Sequence, residues 1–392
     1  MVKLYRLKNT FKNYDWGSPE LIPEFLGLPA DGSKPWAEMW MGNHSGACSA
    51  LNAQDEYTEL RKAADTELSF LFKLLAADKP LSIQAHPNKE QAQEGFLKEE
   101  RSGAALNDPC RNYTGSNHKP EILCAISPFT IMAGFKTPLE IKSSLEPFLS
   151  IPDIKDIFLI LIRALEEKKL SGFFSALSCL SEEQTQRISF FIRENESAGA
   201  VLPPEKNDLQ RELMRKFSDS YPDDPAVISP LFLNLFTLEP GQGIFIPAGA
   251  LHSYIKGFGI ELMANSDNVL RGGLTRKHKD MDELKKILNY SPYMPEIITP
   301  PSSSRYFCYP FPISEISLSM LCAGQRGTEH GAREKFPAEG PAICLVTEGR
   351  LHISGEEGID AVFRKGESFF IWQDRRQLFY DGNFSLYMAN GT

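Results

Sequence analysis

Along this chain the spacing of apolar residues changes twice, and the changes mark three textures. The first, residues 1 to about 135, is mixed. Lys3 to Leu7 predicts a strand, and Trp36 to Ser49 predicts an extended stretch ending in a turn. From Glu59 to Ala77, Leu60, Ala64, Leu68, Leu71 and Leu75 fall on one helical stripe, so a helix is expected there. Pro87 to about Ser102 predicts an exposed helix, with proline in its first turn and many charges. Glu121–Ile126 and Phe129–Phe135 predict two strands around a turn at Pro128.

From about Pro138 to Ser218 the period becomes helical. Ile154 to Lys168, Glu182 to Glu196 and Asp208 to Ser218 carry apolar residues three and four apart. Ser181 with Gln184 forms a capping-box signature. Beyond Phe232 the runs shorten. Leu231–Leu238, Gly243–Pro247, His252–Ile255 and Ile260–Met263 are separated by turns rich in Gly and Pro, a spacing that predicts a barrel or jelly roll. Lys279 to Leu288 predicts a further helix.

The tail echoes this pattern. Leu238-Glu239-Pro240-Gly241-Gln242-Gly243-Ile244-Phe245-Ile246 resembles Phe363-Arg364-Lys365-Gly366-Glu367-Ser368-Phe369-Phe370-Ile371. His252 stands six residues after Ile246, and Gln377 six after Ile371. The expected fold is mainly β with α: two related jelly-roll barrels and an inserted all-helical domain. The expected domains are 1–136 with 230–300 as the first β domain, 137–229 as the helical insert, and 301–392 as a second β domain without metal ligands.

Composition narrows the classes. A chain of 392 residues with 42% hydrophobic content can bury large cores. Its net charge of −9, with no long basic run, argues against nucleic-acid binding. No apolar stretch is long enough for a bilayer, and the first residues lack a signal-peptide core. Seven scattered cysteines without a CxxC pair read as reduced thiols in a cytoplasmic protein.

Three short stretches hold four metal-capable side chains: Gln84 and His86 in Leu81-Ser82-Ile83-Gln84-Ala85-His86-Pro87, Glu121 in Asn117-His118-Lys119-Pro120-Glu121, and His252. On a strand, residues two apart share a face, so Gln84 and His86 stand side by side while Ile83 and Ala85 meet a core. Imidazole nitrogen with carboxylate or amide oxygen fits zinc best, with manganese, cobalt and iron as competitors. Each residue also has a plainer reading: hydrogen-bonded structural histidines, and a Glu121 paired with Lys119. Arg271 precedes Gly272-Gly273, a tight backbone suited to close ligand approach. Its plainer reading is an ion pair with Asp267.

These stretches resemble the type I mannose-6-phosphate isomerase (phosphomannose isomerase) family. The markers run through nearly the whole chain: Tyr14-Asp15-Trp16-Gly17, Ala37-Glu38-Met39-Trp40-Met41-Gly42, Leu81 through Lys89, Asn117 through Glu121, and Ile260 through Thr275. The resemblance implies a cupin-type enzyme that interconverts mannose 6-phosphate and fructose 6-phosphate with one zinc ion per chain. It implies Gln84, His86, Glu121 and His252 as zinc ligands and an active-site role for Arg271. Lys119, His118, Asp267 and Glu261 fall on motif positions expected to line the same pocket. Asn43-His44-Ser45 departs from the family pattern and is expected to alter only a local loop.

Isomerisation needs ring opening, a base between C1 and C2, and stabilisation of an enediolate. Arg271 is the first candidate for that stabilisation. Lys119 stabilises the same charge or shuttles a proton, His118 and Asp267 are candidates for ring opening, and Glu261 is a competing base. Ser82, Lys89, Lys136 and Lys277 are candidates for the phosphate. The expected partner is a small phosphosugar, with no nucleic acid or membrane. The oligomeric state is open, and a monomer fits. Two rivals stand beside this reading: a metal-cupin oxygenase and a non-catalytic sugar-phosphate-binding protein.

Overall fold

The computed structural model describes residues 3–391 apart from 31, 54–55, 65–67, 195–207, 325–333, 339 and 373–376. The described strands form two large antiparallel sheets and one short hairpin. One orders Ile297–Ile298, Gly243–Ile246, Glu121–Ala125, His252–Ala264, Phe70–Ala77, Glu38–Met41 and Thr10–Lys12. Strands Ile83–Ala85, Phe129–Phe135, Leu233–Leu238 and Leu270–Gly273 attach to it. The thirteen-residue strand His252–Ala264 organises the layer, because it pairs along its length with segments 70–77, 121–125 and 130–133.

The second sheet holds the tail strands Tyr306–Cys308, Ile316–Ala323, Leu378–Gly391, Ala342–Gly355 and Ser368–Trp372. It also takes in the first strand of the chain. Lys3 to Arg6 pair with Trp372 to Phe369, and Leu7 with Leu51. Segments expected to belong with residues 1–136 therefore hydrogen-bond into the tail sheet. Local alternation carries no signal for so distant a partner. The mainly β architecture with helices is as expected. The barrels are not closed, since both strand orders have ends among the described residues.

The helix expected over Glu59–Ala77 is not formed. Among the described residues of that span only Leu60–Ala64 is helical, and Phe70–Ala77 is a strand buried on both faces. A doubly buried strand reads as a continuous apolar run, and its leucines met the helical stripe by coincidence. Elsewhere the helical periods hold. Pro138–Leu145, Lys155–Ser178, Glu182–Glu194 and Asp208–Ser220 are helical, the second of them broken by non-helical backbone at Lys168 and Lys169; residues 195–196 of the expected helix Glu182–Glu196 lie outside the described part. Ser181 and Gln184 form their reciprocal cap, at 2.9 and 3.2 Å. Lys89–Ser102 is capped by Asn88 with Gln91 and buries only Ala92 and Gly95, as an exposed helix should.

The helical insert has no separate core. Phe148, Phe158, Leu161 and Phe173 share one cluster with Ile83, Ala85, Met132, Leu251 and Leu270. The insert therefore packs directly behind the strands that carry Gln84, His252 and Arg271. Among the described residues, no helix is long and apolar enough to cross a membrane.

Candidate metal centre

Pairing brings the scattered motifs together. His252 opens the long strand and pairs with Gln84 and Ala133. Glu121 opens its own strand opposite Met263 and Ile246. Arg271 lies in register with Gln84. His86 follows directly on strand Ile83–Ala85, whose Ile83 and Ala85 are buried as the alternation requires.

The donor atoms converge. Ligand atoms of His86, Glu121 and His252 all lie within 4.8 Å of one another. His86 Nε2 is 3.4 Å from Glu121 Oε1, and His252 Nε2 is 3.3 Å from Glu121 Oε2. Gln84 Nε2 sits 3.4 Å from His252 Nε2, and the amide oxygen takes that place after a half-turn of the amide.

Hydrogen bonds fix both imidazoles in one tautomer. The Nδ1–H of His86 donates to the Asn268 carbonyl at 2.7 Å, and the Nδ1–H of His252 donates to the Ala250 carbonyl at 3.0 Å. A carbonyl only accepts, so Nδ1 carries the proton and Nε2 presents a lone pair. Those lone pairs face a carboxylate. His86 Nε2 and Glu121 Oε2 are buried without a hydrogen-bond partner. Lone pair against anion is repulsive unless a cation lies between them, and this is the orientation that holds a metal-binding imidazole in place.

The surrounding charge agrees. Lys73, Lys119, Glu38, Glu121 and Glu261 are each 8% exposed or less. Two cations and three anions leave a formal deficit of one positive charge in a buried cluster, which a divalent ion reverses. Lys119 Nζ is 2.8 Å from Glu121 Oε1, so the plainer reading of Glu121 is partly realised. The pair still leaves Oε2 free for a cation. Burial raises the Glu121 carboxyl, but Lys119 and His86 outweigh it and hold the group well below its usual range. Burial and Lys119 push His86 down to about 4, so this imidazole is neutral at pH 7.

Lys73 was missed in the sequence, although one charge inside Phe70-Leu71-Phe72-Lys73-Leu74-Leu75-Ala76-Ala77 is a signal. It donates to Glu261 Oε2 at 2.9 Å and lies 3.8 Å from Glu38 Oε1. Burial would lower its pKa, but Glu261, Glu38 and Glu121 raise it, so it stays protonated. Burial pushes Glu261 up against the opposing pull of Lys73. Asn268 was missed too. Its side chain accepts from the Thr114 and Gly115 amides at 2.9 and 3.1 Å and donates to the Gly115 and Asn117 carbonyls at 2.7 and 2.8 Å. It ties the approach to Glu121 to the loop that orients His86.

The remaining candidates are more exposed. Arg271 is half-buried, and burial lowers its pKa; the expected ion pair with Asp267 is not formed. Asp267 instead faces His44 Nε2 at 3.3 Å. His44 Nδ1 accepts from the Gly46 amide at 3.0 Å, which leaves Nε2–H to donate to that carboxylate. The Asn43-His44-Ser45 departure therefore touches the site, because His44 is 2% exposed. His118 contacts Glu315 at 2.8 Å. Gly272 and Gly273 leave room for protein, since added Cβ atoms there would meet Leu284 at 2.9 Å and Ala226 at 2.2 Å.

Of the phosphate candidates, Lys277 is coupled to Arg271: burial and that guanidinium lower its pKa, and its ammonium sits 5.8 Å over the Tyr14 ring. Ser82 Oγ reaches Gln84 Oε1 at 3.4 Å. Lys136 is engaged elsewhere. It donates to the Pro230 carbonyl at 2.8 Å, and burial pushes it down to about 8.

Fold and site together define a mainly β protein with a buried cluster of side chains suited to a divalent metal. A family model described as phosphomannose isomerase type I, catalytic domain, matches residues 4–138. Mannose-6-phosphate isomerase of Salmonella typhimurium is 35% identical, with 95% of each chain covered. The Escherichia coli protein of that name is 33% identical over 94% of each. A crystal structure of zinc-bound mannose 6-phosphate isomerase superposes with a TM-score of 0.87, at 31% identity and 99% coverage of both chains. The chain belongs to the type I phosphomannose isomerase family.

Proposed function

We propose that this chain interconverts D-mannose 6-phosphate and D-fructose 6-phosphate as an aldose–ketose isomerase with one zinc ion per chain. Gln84, His86, Glu121 and His252 hold the ion. The observation that carries this reading is the pair of imidazole lone pairs aimed at one buried carboxylate, His252 toward its unsatisfied Oε2 and His86 toward its Oε1. A similar solved isomerase contains zinc, which supports the choice of metal. When bound, zinc supplies Lewis acidity that polarises a sugar oxygen.

The chain's own residues carry the other steps. Ring opening takes a proton from the anomeric hydroxyl and returns one to the ring oxygen; His118 and Asp267 serve it. A base then removes the C2 proton, the electrons form the C1–C2 double bond and O1 gains a proton to give a cis-enediol; the base delivers its proton to C1 as O2 loses its own proton and becomes the ketone oxygen. Glu261, raised by burial, and Lys119 are the candidates for this shuttle. Arg271 has no carboxylate partner among the described residues, so its charge is available to the enediolate. Ser82 and Lys277 face the phosphate, and Tyr14 stacks beside Lys277.

All of these groups come from one chain, so a monomer suffices. The three-part division into β domain, helical insert and tail serves this site, with the insert as its back wall. Seven unpaired cysteines support a cytoplasmic setting. A coupled assay of fructose 6-phosphate formation tests the reading. Turnover that depends on zinc supports it; ligand binding without turnover, or oxygen uptake with iron, contradicts it.

A further inference from the structure

The tail sheet reaches His118 and Lys89 through the side chain of Glu315. Glu315 immediately precedes the tail strand Ile316–Ala323, and its backbone carbonyl accepts from Ser69 Oγ at 3.3 Å. Its Oε2 lies 2.8 Å from His118 Nε2, and its Oε1 accepts from Lys89 Nζ at 3.0 Å. Lys89 follows His86 by three residues, and His118 precedes Glu121 by three. One carboxylate thus joins two of the three segments that carry candidate metal ligands. His118 is mostly buried, with a side chain 15% exposed.

A carboxylate opposite Nε2 selects the tautomer with its proton there. Nδ1 then keeps its lone pair, and it has no protein hydrogen-bond partner among the described residues. We propose that Glu315 is a positioning residue for ring opening: it fixes His118 with Nε2 protonated and Nδ1 free to act as a base. This rests on the isomerase reading. Nδ1 takes the proton of the anomeric hydroxyl, and the bond between anomeric carbon and ring oxygen breaks. The ring oxygen then receives that proton, and neutral imidazole is restored. The tail β unit, which carries no candidate metal ligand, thereby contributes to the reaction.

Exchange NMR of fructose 6-phosphate anomers with the zinc-loaded full-length enzyme isolates ring opening from the later proton transfer. Glu315→Gln removes the charge and admits the opposite tautomer. It should lower enzyme-catalysed anomer exchange and kcat by about 10- to 100-fold, the usual cost of losing such an orienting partner. KM, zinc per chain and Tm should stay near wild type, and Glu315→Asp should recover most of the loss. Unchanged anomer exchange in Glu315→Gln, a loss confined to Tm, or Glu315→Asp no better than Glu315→Gln would overturn the proposal. His118→Asn separates the two levels. If it loses exchange while Glu315→Gln does not, the positioning role alone fails. If it keeps exchange, His118 is not the ring-opening group and both statements fall.

Discussion

The two β units of this chain share a turn but differ in the chain beyond it. Strands Leu233–Leu238 and Gly243–Ile246 flank Gly241 at φ 86°, and strands Asp360–Arg364 and Ser368–Trp372 flank Gly366 at φ 87°. The backbone repeat read in the sequence is therefore a shared left-handed turn, which glycine adopts at little steric cost. Six residues on, the first unit places His252 at 1% exposure, whereas the tail places Gln377 in solvent. The tail interior is closed by aromatics: Phe363 stacks on Phe369 at 4.1 Å, and Phe336 meets Tyr380. The first unit keeps a polar floor because strands Ile83–Ala85 and Glu121–Ala125 pair onto it and deliver His86 and Glu121. A repeated backbone does not repeat a site; the site depends on the strands that pair with it.

Breaking the first unit should have the largest effect. His252→Ala should lose metal and activity together, with turnover down by a factor on the order of a thousand or more, read by zinc per chain and the coupled assay. A variant that keeps one zinc per chain removes His252 from the ligand set. Arg271→Ala should lower kcat by about 100- to 1000-fold with zinc retained, the range for losing a group that stabilises transition-state charge. Near-wild-type turnover would refute its role.

Lys73→Met leaves Glu38 and Glu261 without their buried cation. It should cost about 3–5 kcal/mol of stability in denaturant titration, because a buried charge has lost its partner. A change below about 1 kcal/mol would show that those carboxyls find other partners. The pH response of the metal-free protein is a gentler test. His86 has a folded pKa of about 4 against about 6.5 unfolded, so between these values the unfolded chain binds the extra proton. Its contribution is full above about pH 6.5 and is lost as pH falls toward 4. Tm should fall from pH 7 to pH 5, and His86→Gln should flatten the fall. The smallest effect belongs to the tail. Gln377→His should add no metal, since among the described residues no second ligand stands near it in the repeat.

Much of the site was legible because its parts sit in short motifs. Gln84 and His86 are two apart beside Pro87, and Glu121 opens an apolar strand. The features that escaped depend on distance along the chain. Lys73 was hidden inside a segment whose leucines mimicked a helix. His44 looked like a loop residue because its partner, Asp267, lies more than two hundred positions away. Glu315 is separated from His118 by 197 positions, and the pairing of Lys3–Arg6 with the tail is longer still. Alternation and spacing report faces and elements, but pairing over such distances is decided by packing. Which strands the insert covers was hidden for the same reason, since its periodicity shows an apolar face and not its cover.

The central claim is that four side chains from three distant segments hold one essential divalent ion. Stripping the metal with a chelator and titrating zinc back while following fructose 6-phosphate tests it most directly. Activity should vanish on stripping and return linearly to a plateau at one zinc per chain. Full turnover in the metal-free protein, or a plateau at two, would contradict it.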